Sequence, residues 1–200
     1  MYSVILLAAG ISSRMGRLKA LLPWNGKTLL EAQIEQVARA PVDELIIVLG
    51  FRRERLQAKI IEAVQKLDGL INVVKVIVNE QYYLGKTSSI RAGIKAVSSN
   101  SKGVVILAVD QPVNAITLEK LLGGLKEGEI RIPIYEGKKG HPPVFSSRYY
   151  EEIRHLTEEN EGLRQVIRRH PDCVRYVEAA DPQVLFNLNR VQDYVDALEA

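Results

Sequence analysis

The first segment of this sequence whose residue types could do chemistry is Leu7-Ala-Ala-Gly-Ile-Ser-Ser-Arg-Met-Gly-Arg-Leu-Lys19. Its two glycines and small residues let backbone N–H groups point at an anion, and Ser12 and Ser13 add hydroxyl donors. Arg14 adds a planar cation and Lys19 a point charge. The spacing matches neither the Walker A loop nor the dinucleotide-binding fingerprint. We therefore predict a phosphate-binding loop whose spacing differs from both of these motifs.

A second polar segment is Gly85-Lys-Thr-Ser-Ser-Ile-Arg-Ala-Gly93, where a helix is expected to begin. Ser88 and Ser89 supply hydroxyls and Arg91 a cation, a combination that can hold a base edge together with a phosphate. Thr87 or Ser88 could equally act as the N-cap of the helix. Both interpretations are compatible with the sequence.

Two further candidates carry a carboxylate and an imidazole. Asp110 ends an apolar run and precedes Gln111-Pro112, so its side chain is expected at the ligand edge of a sheet, although it could also cap the next helix. Gly140-His141-Pro142 ends a polar turn with a titratable group. Asn189 precedes the final amphipathic stretch, where it could be a helix N-cap.

Strands and helices, which must position these residues, are predicted to alternate along the first two-thirds of the chain. Apolar runs at 4–8, 45–49, 72–78 and 104–109 predict strands, and the amphipathic stretches between them predict helices. A capping box at Thr28 and Glu31 indicates the start of the first helix. This order indicates right-handed βαβ units, a mostly parallel sheet between two helical layers, and ligands beyond the carboxyl ends of the strands.

The pattern changes after residue 130. Runs at 130–135 and 143–145, separated by a turn that glycines bound, predict an antiparallel addition to the sheet, and a further strand is expected near 174–178. We predict an α/β fold, Rossmann-like with three layers, and one domain over residues 1–200.

Composition and charge exclude several classes of function. Hydrophobic residues make up 46% and charged residues 26% of the chain, as in ordinary globular proteins, and no apolar run is long enough to span a membrane. The net charge of +3 comes from scattered cations, so nucleic acid is not the expected partner. One cysteine and the absence of a basic leader favour a cytoplasmic protein.

The sequence resembles a known family. The stretch from Leu7 to Lys19, followed by Leu21-Leu-Pro23 and Gly26-Lys-Thr28, resembles the signature of the molybdenum-cofactor nucleotidyltransferases, which are MobA-like NTP transferases with the glycosyltransferase-A-like fold of the nucleotide-diphospho-sugar transferases. Further similar blocks are Gly85-Lys-Thr-Ser-Ser-Ile-Arg-Ala-Gly93, Asp110-Gln-Pro112, Gly140-His-Pro-Pro-Val-Phe145 and Asn187-Leu-Asn189. The Gly-His-Pro-x-x-Phe block is typical of the cytidylyltransferase branch.

The resemblance implies a role for each block. Leu7, Ala8, Ala9, Gly10, Ser12, Ser13, Arg14 and Lys19 would bind the nucleotide, as would Gly85, Ser88, Ser89 and Arg91 at its base and ribose. Asp110 would bind Mg²⁺ with Asn189 completing the site, and Lys19, Arg14 and Asp110 would be catalytic. Gln111, Pro112, Gly140, His141 and Pro142 would form the acceptor pocket.

The implied reaction moves an NMP from an NTP to the phosphate of molybdopterin and releases pyrophosphate. Ala8-Ala9-Gly10 is the form associated with CTP, whereas Asn187-x-Asn189 is commoner in the GTP-using branch. CTP is favoured, and GTP or a sugar-phosphate acceptor remains an alternative. An alternative of another class is a non-catalytic chaperone that delivers the cofactor to a molybdenum hydroxylase.

Overall fold

The computed structural model describes residues 1–12, 15–159 and 161–199. Its strands are β1 (Tyr2–Ala8), β2 (Pro23–Trp24), β3 (Lys27–Thr28), β4 (Glu44–Leu49), β5 (Val73–Val78), β6 (Gly103–Ala108), β7 (Ile130–Tyr135), β8 (Lys138–Lys139), β9 (Val144–Ser146) and β10 (Val174–Glu178). Its α-helices are α1 (Leu29–Ala38), α2 (Glu54–Gln65), α3 (Lys86–Ala96), α4 (Ala115–Leu122), α5 (Tyr150–Arg154), α6 (Leu163–Arg169) and α7 (Val191–Glu199).

An eight-stranded sheet forms the centre of the fold, with the order β10-β7-β9-β6-β1-β4-β5, and β8 pairs with β7 at one side. The pairs of β1 with β4, β1 with β6, β4 with β5, and β10 with β7 are parallel. The short strand β9 lies between β6 and β7 and is antiparallel to both. The predicted mostly parallel α/β sheet with an antiparallel addition is confirmed.

Successive side chains of β1 point to opposite faces of the sheet, and each face packs against its own layer of helices. Val4 and Leu6 pack into one apolar cluster with residues of α1, α2 and α4. Ile5 and Leu7 point to the other face and pack with residues of α3, α5 and α6. Because helices cover both faces, β1 is apolar along nearly its whole length, as central parallel strands are. No helix in the described part of the chain is long and apolar enough to cross a membrane.

The helix starts test two capping predictions. The capping box is confirmed: the Thr28 hydroxyl accepts a hydrogen bond from the Glu31 N–H, while the Glu31 carboxylate accepts one from the Thr28 N–H. The predicted N-cap of α3 is wrong, because α3 already begins at Lys86 and Thr87 lies inside it. The Glu158 carboxylate, from a distant loop, accepts the Thr87 N–H instead.

The contact of α3 with β1 generates a stability prediction. A Cβ atom at Gly93 would lie 2.5 Å from Cγ2 of the fully buried Ile5. Alanine favours a helix by about 1 kcal/mol over glycine, but overpacking a core costs about 1–3 kcal/mol. We expect Gly93→Ala to lower the free energy of unfolding by about 1 kcal/mol or more in urea denaturation.

A double-mutant cycle separates the contact from other effects. Ile5→Ala should destabilise the Gly93→Ala protein less than it destabilises the original protein, because it relieves the clash. A Gly93→Ala protein as stable as the original, with no coupling to residue 5, would contradict this account.

Candidate active site

The first cavity, of about 510 Å³, opens at the carboxyl ends of β1 and β6 and beside the start of α3. It gathers most of the residues that the sequence predicted for nucleotide binding, catalysis and metal binding, together with Gln111 of the predicted acceptor pocket. These are Leu7, Ala8, Ala9, Gly10, Ser12, Lys19, Gly85, Ser89, Asp110, Gln111 and Asn189. Ser13 and Arg14 lie outside the described residues, so their roles stay predictions.

Three polar side chains meet in the first cavity. The Lys19 ammonium donates hydrogen bonds to Asp110 Oδ2 and to Asn189 Oδ1, each at 2.7 Å. The Lys19 and Asp110 side chains are only 12% and 20% exposed. Water therefore screens this ion pair less than it screens a pair on the surface. One positive charge thus holds two side-chain oxygens that come from distant parts of the sequence.

Backbone contacts hold these groups in place. The Lys19 N–H donates to the Ser12 hydroxyl at 3.2 Å, and the N–H of the buried Leu188 donates to the Asp110 carbonyl at 2.9 Å. At the start of α7 the Asp193 carboxylate accepts the N–H groups of Asn189 and Arg190. The Asn189 side-chain oxygen instead accepts from Lys19, and α7 begins two residues later, at Val191.

The oxygens of Asp110 and Asn189 fit a hard divalent cation. Both already lie within hydrogen-bonding distance of one cationic group. Nowhere in the described ranges do three or more His, Cys, Asp or Glu side chains form a metal-binding group. A site of one carboxylate and one amide oxygen must take its other ligands from phosphates and water, as Mg²⁺ sites in phosphoryl-transfer proteins do.

The start of α3 forms a second wall of the first cavity. Gly85 has a φ of +102°, and a Cβ atom there would lie 2.5 Å from a Glu158 carboxylate oxygen, so the position requires glycine. Ser88 donates to the Gly85 carbonyl at 2.8 Å and does not line the first cavity. Arg91 does not line it either, and among the described residues its buried Nε has no hydrogen-bond partner.

The second cavity, of about 850 Å³, contains the predicted acceptor residues Gln111, Gly140 and His141. Lys86, Gln111 and Asn187 line both cavities, so the two adjoin. Pro142 is buried and does not line the second cavity. Pro112 lies instead on a third cavity, of about 250 Å³, beside Trp24 and Asn114.

His141 is held as a neutral imidazole. The backbone N–H of His141 donates to the Val184 carbonyl at 2.8 Å, which fixes the residue at the rim of the second cavity. Desolvation lowers the pKa of His141 to about 4, and the positive charges of Lys86 and Arg164 act in the same direction. At neutral pH, His141 can therefore donate or accept a hydrogen bond but adds no charge.

Lys86 is a candidate that the sequence analysis missed. It is open to solvent on the shared wall of the two cavities, yet desolvation by the surrounding protein lowers its pKa, against the attraction of Asp110 and Glu158. Its Gly85-Lys86-Thr87 context fails the Walker A spacing, which conceals the lysine. A cation in the first turn of a helix that follows a strand is the signal that would have indicated it.

Comparison with known proteins places the chain in a family. Residues 4–174 match the MobA-like NTP transferase domain. A nicotine blue oxidoreductase of Paenarthrobacter nicotinovorans is 28% identical over 186 residues, which cover 88% of this chain and 86% of the relative. The molybdenum cofactor cytidylyltransferase of Escherichia coli is 28% identical over 142 residues, which cover 71% of this chain and 68% of the relative. A probable molybdenum cofactor guanylyltransferase of Bacillus cereus is 29% identical over 207 residues, which cover 98% of this chain and 95% of the relative.

Solved structures agree with this assignment. Rv0371c from Mycobacterium tuberculosis is 30% identical with a TM-score of 0.80, and the match covers 100% of this chain and 98% of that one. A structure of Rv0371c in complex with manganese is 28% identical, with a TM-score of 0.72 and coverage of 100% and 98%. The glycosyltransferase-A-like fold is therefore shown, and the chain is a nucleotidyltransferase that belongs to the MobA-like NTP transferase family.

Proposed function

We propose that this protein transfers CMP from CTP to the phosphate of molybdopterin or the molybdenum cofactor and releases pyrophosphate. The observation that carries the proposal is the Lys19 ammonium bridging Asp110 and Asn189 beside the glycine loop. A cation beside two oxygens of the kind that bind divalent metals supports a site for the phosphates of a nucleotide. Cytidylyl- and guanylyltransferases of the molybdenum cofactor among the relatives support the choice of acceptor.

The chemistry needs positioning and charge stabilisation. An oxygen of the acceptor phosphate attacks the α-phosphorus of the NTP, the bond between the α-phosphorus and the bridging oxygen breaks, and pyrophosphate leaves with that oxygen. A phosphate monoester is ionised near neutral pH, so no side chain has to remove a proton from it. This accounts for a site in which the described residues include cations and oxygens, with the one imidazole, His141, held neutral.

The main polar groups of the first cavity have roles in this scheme. The backbone N–H groups that follow Ala8, together with the Ser12 hydroxyl, bind phosphate oxygens, and Lys19 stabilises the charge that develops on them. Asp110 and Asn189 would hold Mg²⁺. The bound cation would neutralise part of the charge on the triphosphate and the leaving pyrophosphate. The manganese complex of a relative supports a divalent metal in this fold.

The proposal also specifies the nucleobase of the NTP. Ala8-Ala9-Gly10 favours CTP, while Asn187-x-Asn189 and the similarity to a probable guanylyltransferase favour GTP. We expect pyrophosphate release from CTP, with Mg²⁺ and molybdopterin present, to exceed release from GTP, ATP or UTP by at least about tenfold, the factor that one extra base hydrogen bond of about 1.4 kcal/mol provides.

Other outcomes of that assay would identify the alternatives. A clear preference for GTP would end the cytidylyl assignment and keep the acceptor. Release with sugar 1-phosphates but not with molybdopterin would show a sugar-phosphate enzyme. Mg²⁺-independent binding of nucleotide without release, in folded protein, would indicate the cofactor chaperone.

Lys19 provides the sharpest test of the catalytic arrangement. Lys19→Ala should lower kcat by roughly 10²–10³, by analogy with the loss of one preorganised oxyanion donor. Lys59→Ala is the matched control, since Lys59 is half-exposed on α2 and pairs with Glu62 away from the cavity. Lys59→Ala should retain activity within about twofold, because surface ion pairs contribute little. Turnover of Lys19→Ala within a few-fold of the original would remove Lys19 from the mechanism.

The pH dependence of kcat/KM tests whether a side chain of the protein acts as a general base. With a pKa of about 4, His141 stays neutral from pH 5 to pH 8, so it adds no titration to kcat/KM there. We expect one rising limb near pH 6, set by the second ionisation of the acceptor phosphate. His141→Gln should leave that limb in place. If the limb moved or disappeared in His141→Gln, the imidazole would be the titrating group.

A further inference from the structure

Strand β5 forms one edge of the central sheet, and its outer side has no partner strand among the described residues. The N–H groups of Val73 and Asn79 donate to carbonyls in, or directly before, β4. Because backbone groups alternate in direction along a strand, the N–H and C=O groups of Val74, Val76 and Val78 point away from the sheet. Such a row of free backbone groups can pair with another extended strand.

Strand β5 lacks the outward-facing charge that commonly protects an edge strand from pairing. Its one charged residue is Lys75, whose ammonium donates to the buried Glu44 carboxylate and to the Ala96 carbonyl. The lysine is therefore held by its own protein. The strand at the opposite edge, β10, differs, because it exposes the charged side chains of Arg175 and Glu178.

The surface beside the β5 edge is apolar. Val76 and Val78 lie on one face of the strand and are 45% and 40% exposed. On the helix α2, Lys59 approaches Glu31 of α1, and the exposed Ile61 lies about 200° further round the helix. Ile61 is therefore on the flank of α2 away from α1. Because α2 connects β4 to β5, that flank faces the β5 edge and extends its apolar surface.

Pairing of β5 with the β5 of a second copy has one register that suits its residues. Residues with outward backbone groups must face each other, so a two-fold axis near the middle of the strand passes through Lys75 or Val76. An axis at Lys75 would set two lysines directly opposite each other, which is unfavourable. An axis at Val76 pairs Val76 with its copy and Val74 with Val78, and these pairs exchange about six hydrogen bonds.

We propose that β5 is a dimer interface, at which two copies of this chain pair antiparallel about a two-fold axis at Val76 and join their central sheets. The paired residues are the same on both copies, as a two-fold interface requires. The exposed valines of each copy would then pack against those of the other. Since the copies run antiparallel, their first cavities would lie at opposite edges of the joined sheet. The pairing does not depend on the reaction proposed above.

Sedimentation equilibrium over a range of concentrations gives the mass and the Kd of the dimer. We expect the original chain, of 22.4 kDa, to reach twice that mass. Val76→Lys removes the central valine pair and sets two like charges opposite each other, so it should raise this Kd at least about tenfold. The control is Val195→Lys, which places the same charge at a valine of α7 that is 38% exposed. Its Kd should stay within about twofold of the original.

Disulfide crosslinking tests the register. Under mild oxidation Val76→Cys should form a covalent dimer, because residues paired at the axis have Cα atoms about 5.5 Å apart, within the range of a disulfide. Ile77→Cys should not, since the two copies of residue 77 are diagonal neighbours about 7–8 Å apart. The original chain, whose one cysteine is Cys173, gives the background of the assay.

A chain that stays monomeric at every concentration, with no crosslink in Val76→Cys, would overturn the inference. A dimer that neither Val76→Lys weakens nor Val76→Cys crosslinks would also overturn it, because another face would then join the copies. Crosslinking of Ile77→Cys in preference to Val76→Cys would overturn the register. Circular dichroism shows whether Val76→Lys is folded, and if it is not, the two cysteine variants decide the question.

Discussion

The parallel pairing of β1 with β4 on one side and with β6 on the other determines where every group of the site lies. The register aligns Leu7 with Ala108, so the glycine loop and Asp110 leave the sheet at the same edge. Parallel strands need a crossover between them, and each crossover returns the chain to the opposite edge. The polar loops therefore collect at one end of an apolar sheet, where they can be charged without disturbing the core.

The electrostatic design differs between the two adjoining cavities. In the first, the Lys19 ammonium is satisfied by a carboxylate and an amide, so the site is held together before a nucleotide arrives. The second cavity is lined by Lys86, which Asp110 and Glu158 attract, and by His141, which is kept neutral. The first arrangement suits a ligand that brings its own metal.

Local sequence signals predicted the features that depend on local contacts. The capping box at Thr28, the strand ends before Gly10 and Asp110, and the glycine loop all follow from residue types a few positions apart. The predictions that were wrong concern features that depend on distant residues. The acceptor for the Thr87 N–H is Glu158, and nothing near Thr87 in the sequence could reveal it.

The same limit applies to the site. The resemblance predicted Asp110 and Asn189 in one metal site, and that role stays a prediction, although both side chains accept hydrogen bonds from Lys19. The hydrogen bond from the Leu188 N–H to the Asp110 carbonyl, which joins the two segments, is a contact that periodicity cannot predict. Pro112 follows Gln111 directly, yet the turn after β6 carries it to another cavity. Lys86 becomes recognisable as a site residue only when both cavities are known to share its wall.

The contact between Lys19 and Asn189 joins residues 170 positions apart. On a ribosome that adds about 5–20 residues per second, Asn189 is made roughly 4–16 s after Asp110. During that interval the nascent chain already contains the glycine loop and the β-strands that surround it, but only one of the two oxygens that hold the lysine. The order of synthesis therefore completes this site only after every strand of the central sheet has been made.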